Sequence, residues 1–202
     1  CPYCHSRDLV YLKENRYPIV TEKINEYLES HRKDLDGIYI SGGEPLMHEG
    51  VVSFLQYAKT LNYKIKIHTN GMFYERLETI LLQQLVDHIS LDIKNAPSAY
   101  AKTCGVEDMN LKDIEKSLSL LKKSLVPYDI CVTLVDELHN EATIEELGQW
   151  IQGVDTVILQ PFEDSETTID HSLHRPSFEV VLKYKKIFEK YVKHVKIRGD
   201  QA

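Results

Sequence analysis

Short β-rich runs alternate with helical patterns along almost the whole of this 202-residue chain. The runs predict strands at residues 38–41, 63–68, 88–94, 130–135, 156–162 and, more weakly, 195–198. Apolar residues at helical spacing predict helices at 21–33, 51–61, 74–85, 111–121, 144–151 and 177–191, the fifth beginning with a capping box of Thr143 and Glu146. Strands that alternate with helices pair in parallel through right-handed crossovers. The sequence therefore predicts an α/β protein built as a barrel, a partial barrel or a doubly wound sheet.

Length and composition favour a single domain over residues 1–202, because no repeat or Pro/Gly-rich linker divides the chain. The 24 Lys and Arg residues are outnumbered by 31 Asp and Glu, giving a net charge of −7 that would repel a nucleic acid backbone. The longest apolar runs are too short to span a bilayer. We expect a cytoplasmic domain with neither nucleic acid nor membrane as a partner.

Polar clusters follow four of the predicted strands, at the point where each strand ends. These clusters are Gly42-Gly43-Glu44-Pro45, Thr69-Asn70-Gly71, Asp92-Ile93-Lys94 and Gln160-Pro161-Phe162. The carboxyl ends of parallel strands share one face of an α/β fold, and that face carries the site. We therefore expect the four clusters to surround one cavity.

The chain opens with Cys1-Pro2-Tyr3-Cys4-His5, a motif that fits several chemistries. A redox dithiol would normally follow a strand in a small thioredoxin-like fold, and a haem attachment would need an exported, mostly helical domain. Zinc would need further ligands at close spacing. Taken alone, the motif leaves three interpretations open: an iron–sulfur ligand pair, a dithiol, and a structural pair of cysteines.

The ordered set of these motifs, with His68 before Thr69-Asn70-Gly71, resembles the radical S-adenosylmethionine enzymes. Within them it is most similar to the activating enzymes of glycyl radical enzymes, especially those of anaerobic ribonucleotide reductase. The resemblance implies a partial (β/α)6 TIM-like barrel, a [4Fe–4S] cluster and S-adenosylmethionine. The family pattern is Cys-x-x-x-Cys-x-aromatic-Cys, and Cys1, Tyr3 and Cys4 match its last three defined positions. The resemblance thus implies that a first strand and a first cysteine, four residues before Cys1, are missing from this chain.

The same resemblance implies a set of site residues. Cys1 and Cys4 would hold the cluster, and S-adenosylmethionine would be bound by Tyr3, Gly42, Gly43, Glu44, Thr69, Asn70, Asp92, Lys94 and Gln160. The residue types suit these roles, since two glycines allow close approach of the backbone and a carboxylate attracts an amine. Asp92 and Lys94 point to one face of a strand and offer opposite charges to a zwitterion. The alternatives are a plain strand-to-helix turn at Gly42 to Pro45 and a self-satisfied ion pair of Asp92 with Lys94.

Other candidate residues depart from the family pattern or have two interpretations. His68 stands where an Asp is frequent and Cys131 where an Arg is common, so a cation site and a carboxylate contact expected from the family are in question. Cys104 and Cys131 are predicted to be small buried core residues. His139 could line the cavity or lie in an exposed loop, whereas His171 and His174 are predicted to be solvated.

The resemblance also implies an activity and partners. The chain would cleave S-adenosylmethionine reductively and remove hydrogen from a glycine of a partner, the large subunit of anaerobic ribonucleotide reductase, with flavodoxin or ferredoxin as reductant. The alternatives are a radical enzyme acting on a small molecule and a dithiol redox or binding protein. The chain of 202 residues is itself expected to be inactive, because two thiolates do not support a stable, site-differentiated cluster.

Overall fold

The fold is an open, parallel, six-stranded sheet covered by helices. A computed structural model describes residues 1–11 and 19–199. The strands are β1 (Gly37–Ile40), β2 (Lys64–Thr69), β3 (His88–Asp92), β4 (Tyr128–Leu134), β5 (Thr156–Pro161) and β6 (His194–Ile197). The helices are α1 (Arg7–Val10), α2 (Thr21–Ser30), α3 (Val51–Thr60), α4 (Tyr74–Leu82), α5 (Tyr100–Cys104), α6 (Lys112–Lys123), α7 (Glu141–Trp150) and α8 (Phe178–Phe188), with 3-10 turns at Pro45–Met47 and Pro97–Ala99.

The strands lie in chain order from β1 to β6, and each neighbouring pair is parallel. Consecutive parallel strands wind in one direction, as they do in a (β/α) barrel, and within the described residues β1 and β6 do not pair to close it. The predicted α/β class is confirmed. The predicted strands and helices are all present, with ends shifted by at most three residues. The short helices α1 and α5 were not predicted.

The two faces of the sheet differ sharply in polarity. Isoleucine, leucine and valine side chains on one face are fully buried against the helices, including those of Ile67, Leu91 and Val132. Alternate residues point to the opposite face because side chains in a strand alternate. That inner face carries Lys66, His68, His88, Ser90, Asp92, Asp129, Cys131, Thr133 and Gln160. The apolar core therefore lies between sheet and helices, and the interior of the open barrel is polar.

The charged groups of the inner face form two layers. In the layer nearer the amino ends of the strands, Asp129 Oδ2 lies 3.4 Å from both Lys66 Nζ and His88 Nε2. In the layer nearer the carboxyl ends, Asp92 pairs with Lys94. Each carboxylate thus has a cationic neighbour in its own layer. We call the layer of Asp129 the lower layer and the layer of Asp92 the upper layer. The upper layer lies at the end of the sheet where a parallel α/β fold places its site.

The beginning of α7 differs from the predicted one. Its N-cap is Asn140, whose side chain accepts a 3.0 Å hydrogen bond from Thr143 N, while Thr143 Oγ1 accepts a 3.1 Å bond from Asn140 N. The predicted capping box of Thr143 and Glu146 is therefore wrong, because an asparagine three residues earlier caps the helix at least as well. Glu146 instead binds the backbone N–H and hydroxyl of Ser98.

Within the described residues, no helix is both long enough and apolar enough to cross a membrane.

Helix α7 packs closely against the segment after α8, and a glycine makes this contact possible. A Cβ atom at Gly148 would collide with the ring of Tyr191, reaching 2.9 Å from Cε2. We expect Gly148→Ala to lower the free energy of unfolding by about 1–3 kcal/mol, as overpacking does, in a urea denaturation experiment. In a Tyr191→Ala background the same change should be neutral or stabilising by up to about 1 kcal/mol, because alanine favours helix. Equal losses in both backgrounds would contradict the steric explanation.

Candidate functional site

The opening cysteine motif is held against the carboxyl end of the sheet. Its chain turns back on itself, with a 3.0 Å bond from Cys4 N to Cys1 O, and Ser6 N donates to Cys4 Sγ at 3.3 Å. The loop after β5 binds the motif through Ile169 N to Cys4 O at 3.2 Å. The motif is therefore fixed by backbone hydrogen bonds to a segment more than 150 residues away.

Tyr3 anchors this loop. Its side chain is buried, and its ring packs edge-on against that of Phe162, with the ring centroids 6.5 Å apart. Val135 and Leu173 complete the same small apolar cluster. Burial, followed by the charge of Asp92, raises the pKa of the Tyr3 hydroxyl well above its usual value. Its hydroxyl oxygen is buried and has no hydrogen-bond partner in the structure, so a polar atom is left for a ligand or for water.

Asp92 and Lys94 form a buried ion pair at the end of β3. Lys94 Nζ lies 2.5 Å from Asp92 Oδ2 and 5.7 Å from the centre of the Tyr3 ring. Burial alone would raise the pKa of the Asp92 carboxyl, but the charge of Lys94 and the proximity of His68 outweigh it and lower the pKa to about 2. Burial would likewise lower the pKa of Lys94, and the charge of Asp92 reverses this and raises it. Both groups are therefore charged at neutral pH.

The second oxygen of Asp92 is available. Oδ1 is buried and has no hydrogen-bond partner, whereas Oδ2 is bound by Lys94. A buried carboxylate oxygen without a donor is costly unless something else binds it. The pair is thus not fully self-satisfied, because one buried acceptor of Asp92 has no donor.

Glu44 joins the loops that follow β1 and β2. Its Oε1 accepts hydrogen bonds from Leu46 N at 3.0 Å and Thr69 Oγ1 at 2.7 Å, and its Oε2 accepts one from Asn70 N at 2.7 Å. Thr69 Oγ1 in turn accepts a bond from Gly71 N at 3.1 Å. Both carboxylate oxygens therefore already bind donors of this chain, and an external amine would have to share Glu44 with them. This internal role was not predicted.

The two glycines after β1 differ from each other. Gly42 has φ of 115°, a conformation that side chains rarely allow, so glycine is required there. A Cβ at Gly43 would meet no atom within 4 Å, so its backbone borders open space. Gly42 is thus needed for the turn, which agrees with the interpretation of the motif as a strand-to-helix turn. Gly43 leaves space beside its backbone, which agrees with the interpretation of the motif as a binding loop.

A cavity of about 440 Å³ brings several motifs together. Cys1, Asn70 and Lys94 line it, along with Tyr100 and Cys104. Cys104 is only partly buried: it packs against the core, as predicted, but it also lines this cavity, which was not predicted. Cys131 is buried as predicted, on the inner face beside Asp129, and burial raises the pKa of its thiol to about 12.

Two larger clefts lie elsewhere on the molecule. One of about 760 Å³ lies at the amino-terminal end of the sheet. One of about 840 Å³ lies between α2 and α3 and is lined by Gly43 and Glu44, so the motif after β1 borders this cleft and the prediction that all four polar clusters surround one cavity is wrong. Neither contains the cysteines, Asp92 or Lys94. The smaller cavity is the candidate site because Cys1, Cys104 and Lys94 line it, and Asp92 lies directly behind Lys94.

Gln160 lies apart from the other predicted site residues. It shares the inner face of the sheet, opposite Thr133, but its side-chain oxygen accepts a 2.6 Å bond from Arg198. No contact given by the structure joins it to Asp92, Lys94 or the cysteines. Its role in binding a ligand therefore stays a prediction.

His139 is buried, and the alternative of an exposed loop histidine is wrong. Its Nδ1 accepts a 3.1 Å bond from Val135 N, so its Nε2 donates the 3.0 Å bond to Lys94 O. Burial lowers the pKa of its imidazole, which favours this neutral form. His139 thus supports the backbone of Lys94 from beneath. His171 and His174 are exposed as predicted, each beside a carboxylate, Asp164 and Glu137 respectively.

Two further contributors, Tyr39 and Asn95, were not predicted from the sequence. Tyr39 Oη and His68 Nδ1 lie 2.8 Å apart beside Asp92. Asn95 Nδ2 donates to Thr103 Oγ1 at 2.9 Å and to Leu138 O at 2.8 Å. The position of Asn95 directly after Asp92-Ile93-Lys94 was the one available signal. Among residues 1–11 and 19–199, no three His, Cys, Asp or Glu side chains come together as a complete metal site.

Comparison with known proteins extends over most of the chain. A protein of Methanocaldococcus jannaschii with the provisional name glycyl-radical enzyme activating enzyme is 29% identical to this chain. The 204 aligned residues cover 98% of this chain and 83% of the relative. A GTP 3′,8-cyclase of Alkaliphilus oremlandii is 24% identical over 74% of this chain and 47% of its own length.

Solved structures share the fold. A domain of pyruvate-formate lyase-activating enzyme from Bacteroides vulgatus has a TM-score of 0.63 at 20% identity, covering 81% of this chain and 99% of that domain. SuiB of Streptococcus suis, bound to S-adenosylmethionine, has a TM-score of 0.75 at 13% identity, covering all of this chain and 48% of SuiB. These likenesses confirm the partial TIM-like barrel. The sequence model of the Radical SAM superfamily matches residues 1–151, and the chain belongs to that superfamily.

Proposed function

We propose that this chain is the core of an activating enzyme that removes a hydrogen atom from a glycine of a partner glycyl radical enzyme. The observation that supports the proposal most strongly is the contact between motifs: Tyr3 lies beneath Lys94, and Cys1 and Lys94 line one cavity. The M. jannaschii relative, which covers nearly the whole chain, carries the same functional name. As the specific partner we propose the large subunit of anaerobic ribonucleotide reductase.

The cofactors of the superfamily are a [4Fe–4S] cluster and S-adenosylmethionine. When bound, they supply the electron and the carbon-centred radical that the reaction needs. In our proposal Cys1 and Cys4 bind the cluster. The backbone N–H of Ser6 that donates to Cys4 Sγ suits this role, because hydrogen bonds to sulfur stabilise a thiolate and tune the cluster. The family pattern has three cysteines, of which this sequence contains two.

The chain's own groups fit the zwitterionic end of S-adenosylmethionine. The free Oδ1 of Asp92 can accept a hydrogen bond from an ammonium, and Lys94 can donate to a carboxylate while it still contacts Asp92. Gly43, Thr69 and Asn70 border the same end of the sheet and would position the rest of the molecule. In this arrangement protein groups bind and orient the reactants, and no side chain is needed as a catalytic acid or base.

The polar inner face and the open side of the barrel suit an entering loop of another protein. Side chains of the inner face offer hydrogen-bonding groups, such as Ser90, whose Oγ is buried without a partner. An extended loop that carries the acceptor glycine presents backbone donors and acceptors at regular spacing. A reduced flavodoxin or ferredoxin would supply the electron.

A second candidate is a radical enzyme that acts on a small molecule. Relatives named GTP 3′,8-cyclase from Alkaliphilus oremlandii and Thermococcus kodakarensis, at 24% and 22% identity, favour it. They match this chain over 47% and 62% of their own length. The assay of the partner described below distinguishes the two candidates.

We expect the natural full-length protein, reconstituted anaerobically with iron and sulfide, to release 5′-deoxyadenosine from S-adenosylmethionine under reductant. Cys4→Ala should abolish the product and lower the bound iron, since a cluster ligand is lost. Cys131→Ala, which removes a thiol outside the proposed site, should retain both. The measurements are chromatography of the product and iron analysis. Full product formation by Cys4→Ala would contradict the proposed ligand.

Asp92 should be required for binding of S-adenosylmethionine. We expect Asp92→Asn to weaken binding at least tenfold, because the free acceptor loses its charge and Lys94 its partner. Calorimetric titration of the reconstituted protein measures the affinity. Asp129→Asn is the matched control, since it changes the carboxylate of the lower layer and should leave the affinity within about twofold. Equal losses in both variants would contradict the placement of the ligand.

The proposed partner can be tested directly. Mixing the reduced, loaded protein with the large subunit of anaerobic ribonucleotide reductase from the same organism should give the electron paramagnetic resonance signal of a glycyl radical. Replacement of the partner's acceptor glycine by alanine should remove that signal. If no signal forms, and GTP is instead consumed with release of 5′-deoxyadenosine, the small-molecule candidate replaces the activase.

A further inference from the structure

His68 and Tyr39 form a pair on the inner face of the sheet, beside the proposed ligand site. Tyr39 Oη lies 2.8 Å from His68 Nδ1, across neighbouring strands β1 and β2. The His68 side chain is 19% exposed, whereas Tyr39 is more than half exposed. The tyrosine is therefore at the rim and the histidine further inside, next to Asp92.

The other ring nitrogen of His68 has no hydrogen-bond partner. Nε2 is buried and lies 3.6 Å from Asp92 Oδ2, which is an electrostatic contact but too long for a hydrogen bond. Asp92 Oδ2 is already bound by Lys94, and Asp92 Oδ1 is also buried without a partner. Two neighbouring residues thus each present one unpaired polar atom in the same part of the barrel, and buried groups of this kind require a partner.

Asp92 and Tyr39 together favour one tautomer of His68. A neutral imidazole has one donor and one acceptor nitrogen, and the hydrogen bond made by one nitrogen fixes the role of the other. The carboxylate of Asp92, 3.6 Å from Nε2, favours a hydrogen on Nε2, and in that tautomer Nδ1 accepts from the Tyr39 O–H. The unpaired atom of His68 is therefore a donor, and the unpaired atom of Asp92 is an acceptor.

We propose that His68 is a binding residue for S-adenosylmethionine, with its Nε2–H donating to a ligand oxygen while Asp92 Oδ1 accepts from the ligand ammonium. This inference rests on the proposed function. The amino acid part of the ligand contains a carboxylate as well as an ammonium, and the ribose contains hydroxyls, so either source can supply the oxygen. Tyr39 is a positioning residue that acts through the tautomer of His68.

The test compares His68 variants by calorimetric titration with S-adenosylmethionine on the reconstituted full-length protein. Glutamine at this position can place an N–H near Nε2, whereas asparagine reaches only to the position of Nδ1. We expect His68→Gln to bind within about threefold of wild type, and His68→Asn and His68→Ala to bind at least tenfold more weakly. Tyr39→Phe should give an intermediate loss.

His88→Gln is the matched control. His88 lies on the same inner face but contacts Asp129 in the lower layer, with Nε2 3.4 Å from Oδ2. The control should bind S-adenosylmethionine as wild type does, and thermal melting should show that all variants fold. Nitrogen NMR of the histidine rings gives a readout without any ligand: His68 should carry its hydrogen on Nε2 in wild type and lose this preference in Tyr39→Phe.

A further titration with 5′-methylthioadenosine, which keeps the ribose and lacks the amino acid, identifies the ligand oxygen. Weaker binding of this compound by His68→Asn indicates a ribose hydroxyl, and unchanged binding indicates the carboxylate; either result supports the contact. Unchanged affinity for S-adenosylmethionine in His68→Ala, or equal losses in His68→Gln and His68→Ala, would overturn it. A wild-type protein that does not bind S-adenosylmethionine would instead overturn the proposed function, while the NMR result would still report on the Tyr39 and His68 pair.

Discussion

The buried ion pair of Asp92 and Lys94 is the interaction on which the candidate site depends. It lies at the end of β3, against the ring of Tyr3 and beside His68, so it connects the opening motif with the sheet. Two opposite charges in a low-dielectric site stabilise each other only when the geometry is fixed. His139 helps to fix it by donating to the backbone of Lys94. The result is a charged pair that is rigid and yet keeps one free acceptor, which suits recognition of a zwitterion.

The contrast between the two faces of the sheet explains how such a polar site coexists with a stable fold. The apolar face and the helices supply the hydrophobic core, in which each buried aliphatic side chain contributes about 1.5–3 kcal/mol. The inner face need not contribute to that core. Its two layers of paired charges occupy the space that apolar side chains fill in a closed barrel. The open side of the barrel gives access to this interior, so one architecture supports both stability and entry of a substrate.

Glu44 shows how a residue can belong to a site without facing its ligand. Its carboxylate binds the loops after β1 and β2 together, through Thr69 and Asn70. Removing that carboxylate would therefore disturb several ligand-facing groups at once. The same holds for Asn95 and His139, which position α5 and Lys94 from behind. Much of the site is thus built by residues that support others, and their roles depend on contacts between distant parts of the chain.

The sequence by itself determined the order of strands and helices, the α/β class and the family, because hydrophobic periodicity and closely spaced motifs are local properties of the chain. It also predicted that polar clusters at strand ends would meet, since parallel winding brings those ends to one face. Only the tertiary structure decided that Cys104 lines the cavity, that His139 is buried under Lys94, that Asn140 caps α7, and that Tyr39 and His68 meet beside Asp92. Each of these depends on which side chains face one another across strands or loops, and that pairing is set by packing of the whole domain.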